Sequence, residues 1–147
     1  MSIKNMIAQL GQGMLTSVLI YTLTLIGAVP LALPLALARG GKSKIARLLT
    51  GAYISFMRGT PLMLQLIAVY FGPWYIFRIR ISDGYRFYAV IIAFVLNYAA
   101  YFAEIYRAGI AAVPKGQREA AAVLGYTNAQ AFFRIVLPQV IKHILPP

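Results

Sequence analysis

Cysteine is absent, histidine occurs once (His143), and only three acids stand against 14 Lys and Arg. Without cysteine there is no disulfide framework, no thiolate chemistry and no Cys-based metal site. One His with Asp83, Glu104 and Glu119, widely separated, makes a protein-ligated metal site improbable. A membrane-embedded enzyme would need paired acids, His or a nucleophile within its apolar runs, and these are missing. There is no Walker-type glycine-rich loop, so the chain has no phosphate cradle of its own. Charged residues make up 12% of the chain, about half the share of a soluble domain. Hydrophobic residues make up 61%, which points to a bilayer as the solvent. A net charge of +11 on a soluble protein suggests a nucleic-acid surface. Here the basic residues flank apolar runs, as the positive-inside bias predicts.

What is there is organised around those runs. Residues 5–38 carry no charge. NMIAQLGQG (5–13) is polar enough to read as an interfacial lead-in, and the first span is placed at about 14–37. Pro30 and Pro34 in its second half predict a kink. The run is too long for the apolar core of a cleavable signal peptide. RGGKSKIAR (39–47) has four Lys/Arg and no acid. A second span at about 50–73 contains Arg58 and is expected to stop near Gly72-Pro73. Trp74, Tyr75 and Phe77 then fit an interfacial aromatic belt. Asp83-Gly84 favours a tight turn. FYAVIIAFVLNYAAYFA (87–103) is uncharged but gives only about 25 Å of helix, so the third span, about 87–106, must run on into EIYRAG. HILPP, at the end, reads as the start of a fourth span, and the chain reads as C-terminally truncated. Counting Lys and Arg, nine lie on the side of 39–47 and 104–142, against four on the other. That places the first terminus outside and the 104–142 segment inside.

The segment EAAAVLGYTNAQAFFRIVLP (119–138) is too polar to span. Its first helix is expected to begin near Gly116 or Gln117, with Glu119 in the first turn, where a negative charge favours the helix dipole. Gly125 suits a left-handed C′ position. Thr127 and Gln130 form a capping-box pattern that starts a second helix. Ala129, Phe132, Phe133 and Val136 fall on one helical face. Pro138 discourages continuation in the same geometry. The physics of the pattern leaves two readings open: an amphipathic helix lying on the membrane surface, or a rigid helical protrusion that docks on a soluble partner.

Glu119-Ala120-Ala121, then Gly125, then Ile135, Leu137 and Pro138 resemble the EAA loop of permease subunits of bacterial ABC importers. Arg58-Gly59-Thr60-Pro61 with Gln65, and Tyr101…Glu104…Arg107…Gly109 through Val113-Pro114-Lys115-Gly116-Gln117, resemble the polar amino-acid (His/Gln/Arg/Glu-type) branch of that family. The resemblance covers residues 58–138. It implies an all-α fold: one polytopic transmembrane helical bundle over 1–147, with three complete spans, a cytoplasmic helix-turn-helix coupling loop at about 107–138 and the start of a fourth span. It further implies two ATP-binding cassette ATPase subunits that bind ATP and Mg, a second permease subunit (identical or not), an extracytoplasmic substrate-binding protein, and a polar amino-acid substrate. The chain itself would be no enzyme and hold no cofactor. It would sit among the lipids of a bacterial inner membrane and bind no nucleic acid. The alternative is a non-transporting membrane scaffold with a surface-lying loop.

Five residues are candidates for the substrate pathway: Arg58, Gln65, Asn97, Tyr101 and Glu104. Arg58 is a charge within an apolar region, a functional-site hypothesis in itself, or a side chain that snorkels to the inner interface. Glu104 suits the ammonium of an amino acid, or pairs with Arg107 one turn on. Gln65 and Asn97 suit substrate hydrogen bonds, or bonds between helices. Tyr98 and Tyr101 suit packing or an interface.

Overall fold

The computed structural model describes residues 3–82 and 84–145. Asp83 of the expected turn, and Pro146-Pro147 at the end of HILPP, lie outside them. Every regular element among the described residues is helical, as an all-α membrane protein requires. In order these are α1 (Ile3–Gly40), α2 (Lys44–Gly59), α3 (Leu62–Phe77), α4 (Tyr85–Ala112), α5 (Lys115–Val123), α6 (Asn128–Ala131), a π-helical turn (Phe132–Val136) and α7 (Leu137–Ile144).

By length and composition α1 and α4 are each able to cross a membrane, and α2 with α3 makes a third crossing if the bent pair counts as one. The expected lead-in at 5–13 is not a separate element, because α1 runs through it without a break. Gly11 and Gly13 are exposed with nothing near them, so no contact competes with the helix there. Just beyond, Thr16 and Ser17 return their hydroxyls to the carbonyls of Gln12 and Gly13, at 2.9 and 3.0 Å. Pro30 and Pro34 also lie inside α1. Each removes one donor from the i−4 ladder. The buried face of α1 is Thr24, Ala28, Ala32 and Ala36. The prolines sit two residues off that row, so their missing bonds are turned away from the packed side.

That row explains the main contact of the fold. Residues four apart stack on one face, and four small residues let another backbone come close. Ala32 and Ala36 pack with Ala100 and Ala103 of α4 and with Ile54 of α2. Higher up, a Cβ built on Gly27 would lie 2.8 Å from a methyl of Val95, so α1 and α4 touch there as well. Ala89, Ala93 and Ala99 are buried on α4 too. Tyr53 of α2 donates its hydroxyl to Leu96 O of α4 at 2.6 Å. Tyr85, at the start of α4, donates to Val69 O of α3 at 3.0 Å.

The stretch expected as one helix over 50–73 is two. α2 ends at Gly59, Thr60 is extended (φ −113°, ψ 143°), and α3 leaves at 109° to α2. The cause is Pro61, which disfavours helical geometry in the residue before it and has no N–H to continue the ladder. Nor does the chain stop at Gly72-Pro73. Pro73 lies inside α3, which closes at Arg78 in a left-handed conformation (φ 56°), with Arg78 N–H on Trp74 O and Ile79 N–H on Pro73 O. The third expectation survives: α4 continues the short apolar run through EIYRAG to Ala112.

Replacing Ala32 by Leu should force α1 and α4 apart, a destabilisation of about 1–3 kcal/mol typical of overpacked cores. Leu10→Ala, on the exposed part of α1, should change little. Thermal unfolding in one detergent compares the two; equal midpoints would refute the close-packed seam.

Candidate functional site

The chemistry-bearing residues gather in three places along α4. The first is its C-terminal end, where α5, α6 and α7 are mounted. α5 begins at Lys115, so Glu119 is its fifth residue and not in the first turn as expected. The helix starts earlier because Pro114 ends α4 in extended geometry and itself serves as the cap. α5 closes with Gly125 left-handed (φ 77°). Gly125 N–H binds Ala122 O and Tyr126 N–H binds Ala121 O, both at 3.0 Å. These two bonds define a Schellman cap. Thr127 and Gln130 then satisfy each other's backbone as a capping box, at 3.3 and 2.9 Å. The corner is thus fixed from both sides.

Beyond the corner the expected apolar face shifts. Ala129 and Phe133 are exposed, whereas Ala131, Val136 and Val140 are buried and Phe132 is half-buried. Ala129 lies before the π turn, on the exposed side of α6; within the turn Phe133 faces out, and the buried positions Ala131 and Val136 fall five residues apart. Leu137 N–H reaches Phe132 O, five residues back, which adds a residue to that turn and rotates everything after it. It lies just before Pro138, whose ring would clash with the carbonyl four residues earlier in a regular helix. Pro138 therefore does not end the helix; the chain continues as α7 to Ile144. Val136 and Val140 pack with Val113, backed by Tyr106, Ile110, Phe132 and Ile144. A Cβ on Gly109 would lie 2.8 Å from Ile144 and 3.0 Å from Val140 side-chain carbons, so only glycine lets α7 close on α4 this tightly. Ala121 is buried, but Glu119, Ala120, Val123 and Leu124 face out, with Val123 89% exposed. Ile135 and Leu137 are half-buried and Pro138 is exposed.

The second place is the α2–α3 break. A helix end leaves carbonyls without partners. The two N–H groups of Gln65 Nε2 supply them, within reach of Met57 O (2.9 Å) and, sharing one hydrogen, of Thr60 O (3.2 Å) and the Thr60 hydroxyl Oγ1 (2.7 Å). Asn97 Nδ2 of α4 donates to Met57 O (3.1 Å) and to Gln65 Oε1 (2.9 Å). Both amides are buried. Of the two uses open to them in the sequence, the structure shows the bond between helices. Arg58 lies beside them but faces out, its guanidinium carbon 5.4 Å from the centre of the Tyr101 ring, a cation–π distance.

The third place is Glu104. Arg107 Nε and Nη2 each lie 2.9 Å from Glu104 Oε2. Arg39, at the end of α1, brings Nε to 2.6 Å from Oε1. That second contact is charge against charge without a well-aimed N–H, since Oε1 accepts no directed hydrogen bond. The intrahelical pair was visible in the sequence spacing; Arg39 was not, because only the fold brings α1's end to α4. Gly109 and the Val113–Val140 contact were also missed as packing devices. The four-residue spacing of small side chains in α1 was a readable signal for the seam.

The site residues form no single cluster. Gln65 and Asn97 join directly, Arg58 and Tyr101 join directly, and Glu104 belongs to a separate junction. A double-mutant cycle with Gln65→Leu and Asn97→Leu should give a coupling of about 0.6–1.7 kcal/mol, the range of buried hydrogen bonds between membrane helices. Strictly additive losses would show that the two amides do not act as a unit.

Residues 28–147 match the family described as binding-protein-dependent transport system inner membrane component. The chain is 45% identical over 130 residues to the L-cystine transport system permease protein TcyL of Bacillus subtilis (strain 168), covering 86% of this chain and 54% of that one. It is 39% identical over 135 residues to the putative glutamine transport system permease protein GlnP of Rickettsia conorii (strain ATCC VR-613 / Malish 7), covering 92% and 61%. A solved structure described as an amino acid ABC transporter with histidines superposes with a TM-score of 0.77 at 37% identity, over 99% of this chain and 68% of that one. The chain thus spans between half and two thirds of the length of these two curated relatives.

Proposed function

Because the chain belongs to the family of binding-protein-dependent transport system inner membrane components, we propose that it serves as a membrane-spanning permease subunit of an ABC importer for polar amino acids, coupled to separate ATPase subunits through the α5–α6 corner. The observation that carries this reading is the corner itself. Glu119, Ala120, Ala121, Gly125, Ile135, Leu137 and Pro138 fit the EAA pattern, and the backbone they build is a double-capped turn with an outward apolar tip. Val123 and Leu124 at that tip are exposed, as a surface that seats in a partner's groove would be. The relatives' names support amino acids as the substrate class; the Arg58 and Glu104 segments support the polar branch.

In this reading a second permease completes the pathway, an extracytoplasmic protein delivers the amino acid, and the ATPase pair binds ATP and Mg. The first terminus lies outside a bacterial inner membrane and the corner is cytoplasmic. ATP favours one conformation of the ATPase pair, and the permease follows by population shift. A push at the corner is passed on only if the corner does not deform, which is the use of its paired caps. It reaches α4 through Val113, Val136 and Val140, and α4 carries Asn97, Tyr101 and Glu104. Among the candidate pathway residues Arg58 and Tyr101 keep accessible surface. Gln65, Asn97 and Glu104 are engaged by protein groups and are assigned to holding the helices.

Two measurements test this. With the ATPase and binding protein co-reconstituted in liposomes, one polar amino acid should stimulate ATP hydrolysis; an active ATPase that none of the twenty stimulates would remove the substrate class. Gly125→Val should cut stimulated hydrolysis about 5- to 30-fold, because holding a bulky residue left-handed costs about 1–2 kcal/mol. Nothing lies within 4 Å of a Cβ at this position, so the loss comes from the backbone alone. Gly125→Asn should retain more activity, since Asn visits that conformation. Membrane levels should match for both. Full stimulation by the Val variant would refute the role of the corner.

A further inference from the structure

A half-open cavity of about 770 Å³ lies between the end of α1, the end of α4 and the α5–α6 corner. Five cations line it: Arg39, Lys42, Arg107, Lys115 and Arg118. No acid is among its lining residues. Glu104, just behind, pairs with Arg39 and Arg107 and offsets one of the two charges. Among the described residues Lys42, Lys115 and Arg118 have no salt-bridge partner. Apart from Tyr126 and Asn128 the rest of the lining is apolar, with Val113, Ala131 and Val136 buried and Ile110 and Phe132 half-buried, whereas Lys42, Arg107, Lys115 and Arg118 are exposed. Its rim and floor are therefore of opposite character. A bare anion has no use for the floor, and an apolar ligand has no use for the rim.

We propose that this cavity binds an anionic phospholipid, its phosphate headgroup on the Lys42–Lys115–Arg118 rim and its acyl chains along the apolar floor. The cavity sits where the two long apolar helices end, and a helix that crosses a bilayer ends in its headgroup layer. Juxtamembrane Lys and Arg attract anionic headgroups with additive strength. Arg39 joins the same rim to the Glu104 junction, so lipid there would also steady the α1–α4 end contact. The assignment to the inner leaflet rests on the orientation proposed above; the lipid site itself does not.

The test uses the chain in phosphatidylcholine nanodiscs with trace spin-labelled phosphatidylglycerol or spin-labelled phosphatidylcholine. The immobilised fraction should favour phosphatidylglycerol by about tenfold or more, given three additive headgroup contacts. Lys42→Gln, Lys115→Gln and Arg118→Gln together should abolish the preference. The charge-keeping set Lys42→Arg, Lys115→Arg and Arg118→Lys should retain it. Arg78→Gln, Arg80→Gln and Arg86→Gln, near the opposite end of α4, should leave it intact. A preference that survives the first set, or that falls equally with the Arg78 set, overturns the site. Inorganic phosphate at constant ionic strength should not displace the lipid; if it does, the ligand is a free anion and the lipid assignment is wrong. Should the Gln set fail to fold, the charge-keeping set and the phosphate competition still decide. Orientation is read separately, by labelling Lys42→Cys with an impermeant thiol reagent from each side, which the lack of native cysteine makes clean. Labelling from outside would sink the orientation and leave the lipid preference standing.

Discussion

Lipid tails are as apolar as leucine, so two helices in a bilayer gain little by hiding large side chains from them. What α1 and α4 gain is proximity. Ala28, Ala32, Ala36, Ala100 and Ala103 are all within 2% of full burial, and their small size lets the two helices approach closely along the seam. α4 thereby acquires a fixed position, and every other element refers to it. α2 and α3 are tied to it by Tyr53, Asn97 and Tyr85. α7 is seated on it at Gly109, and the end of α1 is held to it by Arg39 on Glu104. Loosen the seam and Arg39 loses its place on Glu104, and Ile54 of α2 loses the alanines it packs on from both helices.

The break at Thr60-Pro61 shows how a polar group is afforded inside such a bundle. Proline opens the ladder, and the end of α2 would be left with carbonyls facing hydrocarbon, each costing several kcal/mol. Gln65 turns its amide back onto that end, and Asn97 then uses Gln65's own oxygen and the Met57 carbonyl. Two side chains from different helices thus replace the backbone bonds that Pro61 removed. The 109° bend is a stable shape because its exposed backbone is paid back locally, and a substrate role for these amides would have to break that pairing.

Much of this was legible in the sequence because the signals were local. The C′ glycine at 125, the Thr127/Gln130 box and the run from 87 through EIYRAG each depend on a few neighbouring residues, and each appears where the pattern put it. What was misread depended on competition. Gly72-Pro73 has the look of a stop, but Pro73 is carried inside α3. The 3.6-residue spacing holds for Phe132 and Val136 but misplaces Ala129 and Phe133, and the five-residue step between buried Ala131 and Val136 comes from a π turn that no fixed period contains. The apolar composition of 50–73 points to one helix, whereas the local effect of Pro61 divides it in two. Arg39 on Glu104 lies 65 residues away along the chain, beyond any local pattern.

The same distinction bears on how a movement at the corner would travel. Val123 and Leu124 project from a turn whose two ends are capped, so a partner that covers them acts on a body that does not bend. That body is α5 with α6 and the π turn, and its contact with α4 is apolar and close. Close contacts between packed backbones do not yield gradually, since a gap of even 1 Å forfeits much of their attraction. Displacement of the corner must then either carry α4's end with it or break the Gly109 contact outright. The first choice pulls on Glu104, and through Arg39 on the end of α1. The ion pairs there can slide, because charge attraction falls off slowly with distance where packing falls off steeply. The junction therefore combines a stiff apolar link on one side with a compliant ionic link on the other. The seam of Ala32 and Ala36 on Ala100 and Ala103 is packed as closely as the Gly109 contact, so α1 moves with α4, and only its end beyond the seam has the freedom of the Arg39–Glu104 pair.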